Sequence, residues 1–190
     1  MFATKRPELL SPAGNMDSVK AAVNNGADAI YLGGKDFSAR QYANNFDLEE
    51  LEEVIDYCHL RGVKVYVTVN IVYKDKEIKE LLKFVSNLYK IGADALIMQN
   101  IGAAMLIKEN FKDIKLNAST QLTVNSLEDV RALEKIGFSK IVLSRELNIN
   151  EIKDIIEHSS AEIETFIHGA LCVSYSGQCK IGRASCRERV

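Results

Sequence analysis

The feature that most constrains the fold is a unit that recurs along the chain. In this unit a helix ends at glycine and an apolar strand begins a few residues later. It occurs at residues 25–30, 61–65, 91–96 and 136–141. Glycine at a helix end adopts the left-handed conformation at low steric cost. Recurring units of this kind, with near-continuous apolar strands, are typical of a parallel sheet covered by helices.

The pattern predicts seven strands, at residues 8–14, 29–34, 64–70, 95–100, 115–121, 140–145 and 163–169. A helix is predicted between each pair of successive strands. Side chains suited to cap these helices are Asn15 or Asp17, Asp47, Ser126, and Asn148 or Asn150. Regular recurrence without an inserted break favours a barrel over a doubly wound sheet. The predicted fold class is therefore α/β, a TIM-type (β/α) barrel truncated after about seven strands.

Composition narrows the functional classes. The chain has 190 residues, of which 47% are hydrophobic, and this is enough for one buried core. A formal charge of −2 argues against a generally basic nucleic-acid binder. No apolar run approaches the roughly 18 to 20 residues of a membrane helix, and no secretion signal is visible. The four cysteines are expected to be intracellular thiols or ligands, so we expect a cytoplasmic protein without membrane contacts.

The end of the sequence breaks the pattern. Residues 181–190 show no strand or helix periodicity and contain three arginines. This decapeptide matches the translation of a common sequencing adapter. We therefore interpret residues 1–179 as an incomplete barrel domain and residues 180–190 as a non-native tail. The alternative is a basic tail that contacts RNA or a membrane.

In barrels of this class, the residues that bind and react lie at the carboxyl ends of the strands. Polar side chains collect at these predicted ends and in the loops after them. The candidate substrate-binding residues are Arg40, Asn45, Gln121, Arg145 and Glu146. The candidate catalytic residues are Glu164 and His168. Both arginines could bind a carboxylate or phosphate in bidentate fashion, although a structural ion pair between Arg145 and Glu146 is equally compatible.

Two cysteines, Cys172 and Cys179, follow the seventh strand in a loop rich in serine, glycine and tyrosine. They could be small buried hydrophobes, although such a loop is a poor place for that role. With His168 as base, one of them could be the nucleophile of a thiol hydrolase. They could also be half of a four-thiolate set for a metal or cluster. The ligand interpretation is favoured, and Cys58, on the apolar face of a helix, is assigned to the core.

The segment from Glu164 through His168 and Gly169 to Cys172, followed by Ser176, Gly177 and Cys179, resembles the signature of the collagenase-like U32 peptidase family. Further matching segments lie at residues 8–14, 40–46, 118–121 and 143–146. After Cys179 the sequence departs from the family pattern, which continues with further cysteines.

The resemblance implies a peptidase by family name for the full-length parent. It also implies a second activity, because related members support hydroxylation of tRNA or rRNA bases and bind a four-iron (4Fe-4S) cluster through cysteines. By resemblance, Cys172 and Cys179 match two of the cluster ligands, and prephenate is a possible co-substrate. The expected partner is therefore RNA or a peptide. Our preferred interpretation is an iron–sulfur-dependent RNA hydroxylation factor. The alternatives are a thiol-type or metal-dependent peptidase, or an inactive truncated fragment.

Overall fold

The computed structural model describes residues 6–38, 45–169 and 172–179. Within these residues seven parallel strands alternate with six α-helices. The strands are β1 (Leu10–Pro12), β2 (Ala29–Gly33), β3 (Lys64–Val69), β4 (Ala95–Met98), β5 (Lys115–Ala118), β6 (Lys140–Val142) and β7 (Glu162–Glu164). The helices are α1 (Met16–Asn24), α2 (Leu48–His59), α3 (Ile78–Lys90), α4 (Ile101–Asn110), α5 (Leu127–Ile136) and α6 (Ile149–His158). The strand order is that of the sequence, from β1 to β7. The predicted fold class, seven strands of a TIM-type (β/α) barrel, is confirmed.

The chain divides into two compact units. The first comprises residues 1–69 and 79–96, and the second comprises residues 70–78 and 97–190. Strands β1 to β3 lie in the first unit with helices α1 and α2 and with all of α3 except its first residue, Ile78. Strands β5 to β7 with helices α4 to α6 lie in the second, and β4 is divided between the two.

In the first unit, β1 pairs with β2 and β2 with β3, with Ala29 opposite both Leu10 and Lys64. Ile30 and Leu32 of β2 are fully buried, as is Leu51 of α2. β2 and β3 are buried almost throughout, which explains why both segments are almost continuously apolar in sequence, as is typical of a parallel sheet. Burial of each such side chain stabilises the fold by about 1.5–3 kcal/mol.

In the second unit, β5 pairs with β6 and β6 with β7. Leu116 of β5, Ile141 of β6 and Ile107 of α4 are fully buried. The helices begin at side-chain caps, where a side-chain oxygen accepts a backbone N–H that the first turn leaves without a partner. Asn148 caps α6 and forms a reciprocal pair with Glu151, so the first candidate of the predicted pair is the cap.

All seven strands are shorter than predicted, most clearly β1, which covers Leu10–Pro12 instead of residues 8–14, and β5 to β7. β5 ends at Ala118 instead of residue 121, β6 ends at Val142 instead of residue 145, and β7 covers Glu162–Glu164 instead of residues 163–169. β7 is limited because it pairs with β6 over only three residues. Phe166 and Ile167, which we expected inside this strand, are 49% and 84% exposed. Within the described residues, no helix is both long enough and apolar enough to cross a membrane.

Candidate functional site at the carboxyl ends of the strands

The carboxyl end of β5 is shaped by a turn. Ser119 accepts the Gln121 backbone N–H with its hydroxyl, at 3.3 Å, and a 3-10 turn follows over Thr120–Leu122. The Ser119 backbone N–H donates to the Met98 carbonyl oxygen at the end of β4, at 2.7 Å. The Gln99 side-chain amide donates to the Asn70 carbonyl oxygen, at 2.8 Å. A hydrogen-bond network therefore runs through the residues that follow β3, β4 and β5.

Three buried side-chain oxygens beyond the ends of β5 and β6 have no hydrogen-bond partner among the described residues. They are Thr120 Oγ1, Gln121 Oε1 and Ser144 Oγ. Ser144 is only 4% exposed. A buried polar atom without a partner costs about 1–3 kcal/mol, so these three atoms mark a polar region beyond the ends of β5 and β6. Two of the three residues lie at the end of β5, where the sequence predicted that Gln121 binds substrate.

Arg145 follows β6 and contacts the segment 172–179, which we call the cysteine loop. Its guanidinium donates from Nη1 to the Cys172 carbonyl oxygen at 3.3 Å and from Nη2 to the Ser174 carbonyl oxygen at 3.0 Å. Nε donates to the Ser176 hydroxyl at 3.3 Å. All three branches of the fork therefore bind one loop. Among the described residues, the guanidinium of Arg145 binds these loop atoms and forms no salt bridge with Glu146, which was the alternative considered from sequence.

Glu146 contacts the same loop. Its Oε1 accepts the Ser176 backbone N–H at 2.9 Å and the Ser176 hydroxyl at 3.3 Å. Partial desolvation raises the pKa of the Glu146 carboxyl, but these two hydrogen bonds and the charge of Arg145 outweigh it, so the pKa is lowered. Glu146 therefore contacts the loop as a carboxylate at neutral pH.

The cysteine loop also rests on the turn after β5. The Thr123 hydroxyl donates to the Ser176 carbonyl oxygen at 2.9 Å. Gly177 has a φ of +75°, and a Cβ built there would lie 2.6 Å from both the Gln121 carbonyl oxygen and Thr123 Oγ1. Glycine is therefore required by conformation and by space.

Both predicted metal ligands lie in this loop, Cys172 partly exposed and Cys179 exposed. Thiolates are the donors that iron–sulfur clusters use, so the residue chemistry fits such a group. Among the described residues, no three His, Cys, Asp or Glu side chains are grouped so that they could hold a metal ion. The described chain therefore offers a pair of thiols rather than a complete ligand set. Cys58, in contrast, is fully buried in the core, where burial raises the pKa of its thiol to about 11.

The remaining candidates from sequence are divided between the two units. Glu164 ends β7, is partly buried, and accepts the Leu143 backbone N–H with its carbonyl oxygen at 3.0 Å. His168 is exposed and lies four residues before the cysteine loop. In the first unit, Asn45 lies at the end of the loop that follows β2, with its Oδ1 3.1 Å from the position of a Cβ on Gly33. Arg40 lies outside the described residues, as does the predicted tail at 180–190.

Two residues that organise this site were not selected from sequence. Ser176 is 3% exposed and bonded through its N–H, hydroxyl and carbonyl groups. Its position before a glycine between two cysteines was the available signal. Thr123 adopts a φ of +57°, a left-handed conformation that is rare for threonine. No local sequence pattern predicts this conformation.

The fold is that of the TIM-type barrel proteins, with a thiol-bearing loop held at the carboxyl ends of the strands. A match to Peptidase family U32 covers residues 14–188, and the chain belongs to this family. Since the match extends beyond residue 179, it includes most of the segment that we interpreted as a tail.

Similar proteins carry two kinds of name. The chain is 42% identical over 182 residues to the 23S rRNA 5-hydroxycytidine synthase of Escherichia coli, covering 96% of this chain and 27% of that protein. It is 38% identical to the tRNA hydroxylation protein P of E. coli, covering 92% and 39%. It is 34% identical to a collagenase of Porphyromonas gingivalis, covering 90% and 44%. The chain thus spans less than half the length of these relatives.

Among solved structures, a U32 peptidase matches with a TM-score of 0.71 and 16% identity, over 85% of this chain and 70% of that one. This similarity supports the fold.

Proposed function

We propose that the chain is part of an iron–sulfur-dependent factor that hydroxylates a base of tRNA or rRNA. The observation that carries this proposal is the cysteine loop, which bears Cys172 and Cys179 and is held beside the carboxyl end of β6 by contacts of Arg145 with the Cys172 carbonyl oxygen and of Glu146 with Ser176. The names of the two E. coli relatives support RNA as the substrate class. Such a factor acts on RNA in the cytoplasm.

In this proposal the two thiols are cluster ligands, and further ligands come from outside the described residues. A bound four-iron cluster would supply electron-transfer chemistry beside the strand ends. The chain's own contribution is a loop with a defined position and a polar surface next to it. Of the side chains selected from sequence, Glu164 and His168 are proposed to move protons during the reaction.

The base is proposed to contact the turn after β5. Thr120 and Gln121, which lie in this turn, are both partly exposed. A nucleobase carries both donors and acceptors on its edge, and a single-stranded base can be hydrogen-bonded along that edge. Asn45 and Arg40, in the loop after β2 of the first unit, are also proposed as substrate-binding residues. Prephenate, a carboxylate, is proposed as a co-substrate for an arginine, and Arg40 is the candidate because the branches of Arg145 contact the loop.

The test is a deletion of the gene in its source organism, followed by mass spectrometry of tRNA and rRNA nucleosides. We expect one hydroxylated base to disappear, to return with the native gene, and to stay absent with Cys172→Ala or Cys179→Ala. In parallel, the native gene product purified without oxygen should contain iron and sulfide. Unchanged nucleosides together with an iron-free protein would refute the proposal.

A second candidate function is a thiol-type or metal-dependent peptidase. The name of the P. gingivalis relative favours it, as does the position of His168 four residues before Cys172 in the sequence. The same purified protein separates the two candidates. Cleavage of denatured collagen that Cys172→Ala abolishes, with nucleosides unchanged, would favour the peptidase.

A further inference from the structure

We propose that Ser176 is a positioning residue that docks the cysteine loop on the carboxyl ends of β5 and β6 before any metal binds. The proposal rests on the proposed function only where it treats Cys172 and Cys179 as ligands.

Ser176 is the one member of the cysteine loop that is buried, with 3% exposure. Its N–H donates to Glu146 Oε1 at 2.9 Å, and its carbonyl oxygen accepts from Thr123 Oγ1 at 2.9 Å. Its hydroxyl accepts the Arg145 backbone N–H at 3.2 Å and donates to Glu146 Oε1 at 3.3 Å. Each polar group of this buried residue therefore has a protein partner, and none of these contacts needs a metal.

Apolar burial does not hold the loop. Val173 is fully exposed, and Tyr175 is 70% exposed. The loop's stability therefore depends on polar contacts that converge on one serine, together with the Arg145 fork on the Cys172 and Ser174 carbonyl oxygens. Cys172 is connected to the β6 end directly through this fork.

Gly177 makes the docking tight. Because its Cβ position would lie 2.6 Å from the backbone carbonyl oxygen of Gln121, a side chain there cannot be accommodated by rotating a neighbour. Gly62 has nearly the same φ, +71°, but nothing lies within 4 Å of its Cβ position. The two glycines therefore separate the cost of backbone strain from the loss of loop docking.

Docking of this kind matters for a ligand loop. A flexible loop must be ordered when it binds a metal, and this cost weakens binding, whereas a loop that is already ordered avoids it. The docked loop should therefore bind its metal group more tightly and release it more slowly.

The first experiment uses hydrogen–deuterium exchange of residues 172–179 in the metal-free 190-residue chain. Ser176→Ala should raise the exchange rate of this loop about tenfold, because it removes hydrogen bonds of ordinary strength. Ser174→Ala is the matched control, since the Ser174 hydroxyl makes none of the contacts described for the loop. Glu146→Gln keeps the acceptor oxygen and should give an intermediate rate, whereas Glu146→Ala should match Ser176→Ala. A wild-type loop that exchanges without protection, or equal rates in Ser176→Ala and Ser174→Ala, would overturn the proposal.

The second experiment measures metal binding. The native gene product and its variants are first reconstituted with iron and sulfide. Gly177→Ala and Ser176→Ala should then lose iron to a chelator about tenfold faster than Gly62→Ala, because a loop that opens more often exposes its metal more often. Equal loss rates in a protein that does bind iron would contradict a positioning role. If no variant, nor the wild type, binds iron, the proposed function fails, while the exchange result still decides whether Ser176 docks the loop.

Discussion

Two loops at the carboxyl ends of the strands, one in each unit, are held in different ways. The described ends of the loop after β2 are joined by backbone hydrogen bonds, with the Lys35 N–H donating to the Phe46 carbonyl oxygen at 2.9 Å and the Phe46 N–H donating to the Gly33 carbonyl oxygen at 3.1 Å. Phe46 is buried, and Phe37 contacts Phe84 of α3 with ring centroids 5.8 Å apart. The cysteine loop instead is held by the side chains of Arg145, Glu146 and Thr123.

The two loops should therefore respond to different changes. A loop whose ends are joined by backbone hydrogen bonds and packed by buried rings responds mainly to loss of packing volume, because side-chain substitution leaves the backbone bonds in place and the hydrophobic contribution follows the buried area. A loop held by hydrogen bonds to a carboxylate responds to single polar substitutions and to pH. The first arrangement suits a loop whose position is fixed. The second suits a loop that carries reactive groups and must accept a ligand.

The largest effect is expected at the base of the first loop. Phe46→Ala removes a ring that is 5% exposed, and the resulting cavity should lower the free energy of unfolding by about 3–5 kcal/mol. Chemical denaturation measures the change. Phe166→Ala is the matched control, because Phe166 is 49% exposed and should lose much less. Similar losses in both variants would mean that burial of Phe46 does not stabilise the first loop.

A smaller loss is expected for a buried hydroxyl of the first unit. Thr68 Oγ1 donates to the Leu32 carbonyl oxygen at 3.1 Å and lies 2.9 Å from the Ser38 hydroxyl. Thr68→Val keeps the shape and removes both contacts, so it should lower the free energy of unfolding by about 1–2 kcal/mol. Thr165→Val, at an exposed position, is the control for the same chemical change. No loss in Thr68→Val would show that these contacts contribute nothing to the first loop.

The cysteine loop should respond to acid. Because the folded-state pKa of Glu146 is below the ordinary value of 4.5, its contribution is complete above pH 4.5 and is lost as the pH falls through the folded-state pKa. Hydrogen exchange of residues 172–179, corrected for intrinsic rates, should therefore rise below that pH.

In Glu146→Gln this acid-dependent rise should be absent, since the amide does not titrate there. A wild-type loop whose corrected exchange stays constant down to pH 3 would contradict the role of the carboxylate.

Much of the fold could be predicted because its signals are local. Ser126 and Gly137 bound α5 as predicted, since an N-cap serine and a left-handed C-cap glycine act within a turn of the helix. The predicted end of β5 was wrong. The Ser119 hydroxyl accepts the Gln121 backbone N–H and turns the chain, and this turn competes with continued strand pairing.

The site was predicted only in its parts. Strand-end logic selected Gln121, Arg145, Glu146 and the two cysteines, because carboxyl ends of parallel strands collect polar groups. It could not predict that Arg145 and Glu146 contact Ser176, about thirty residues later in the chain, because such pairings depend on the tertiary fold. From sequence alone, a charged loop residue that binds a ligand cannot be distinguished from one that binds a neighbouring loop.

The smallest effect is expected at the exposed apolar side chains of the cysteine loop. Tyr175→Ser should change the free energy of unfolding by no more than about 0.5 kcal/mol, because a side chain that is 70% exposed loses little buried area. Chemical denaturation beside Phe46→Ala gives the contrast between the two loops directly. A loss above about 1 kcal/mol in Tyr175→Ser would show that apolar packing also holds the cysteine loop, and the contrast would then fail. A negligible loss, with faster exchange in Ser176→Ala, would show that polar contacts alone set the position of the thiols.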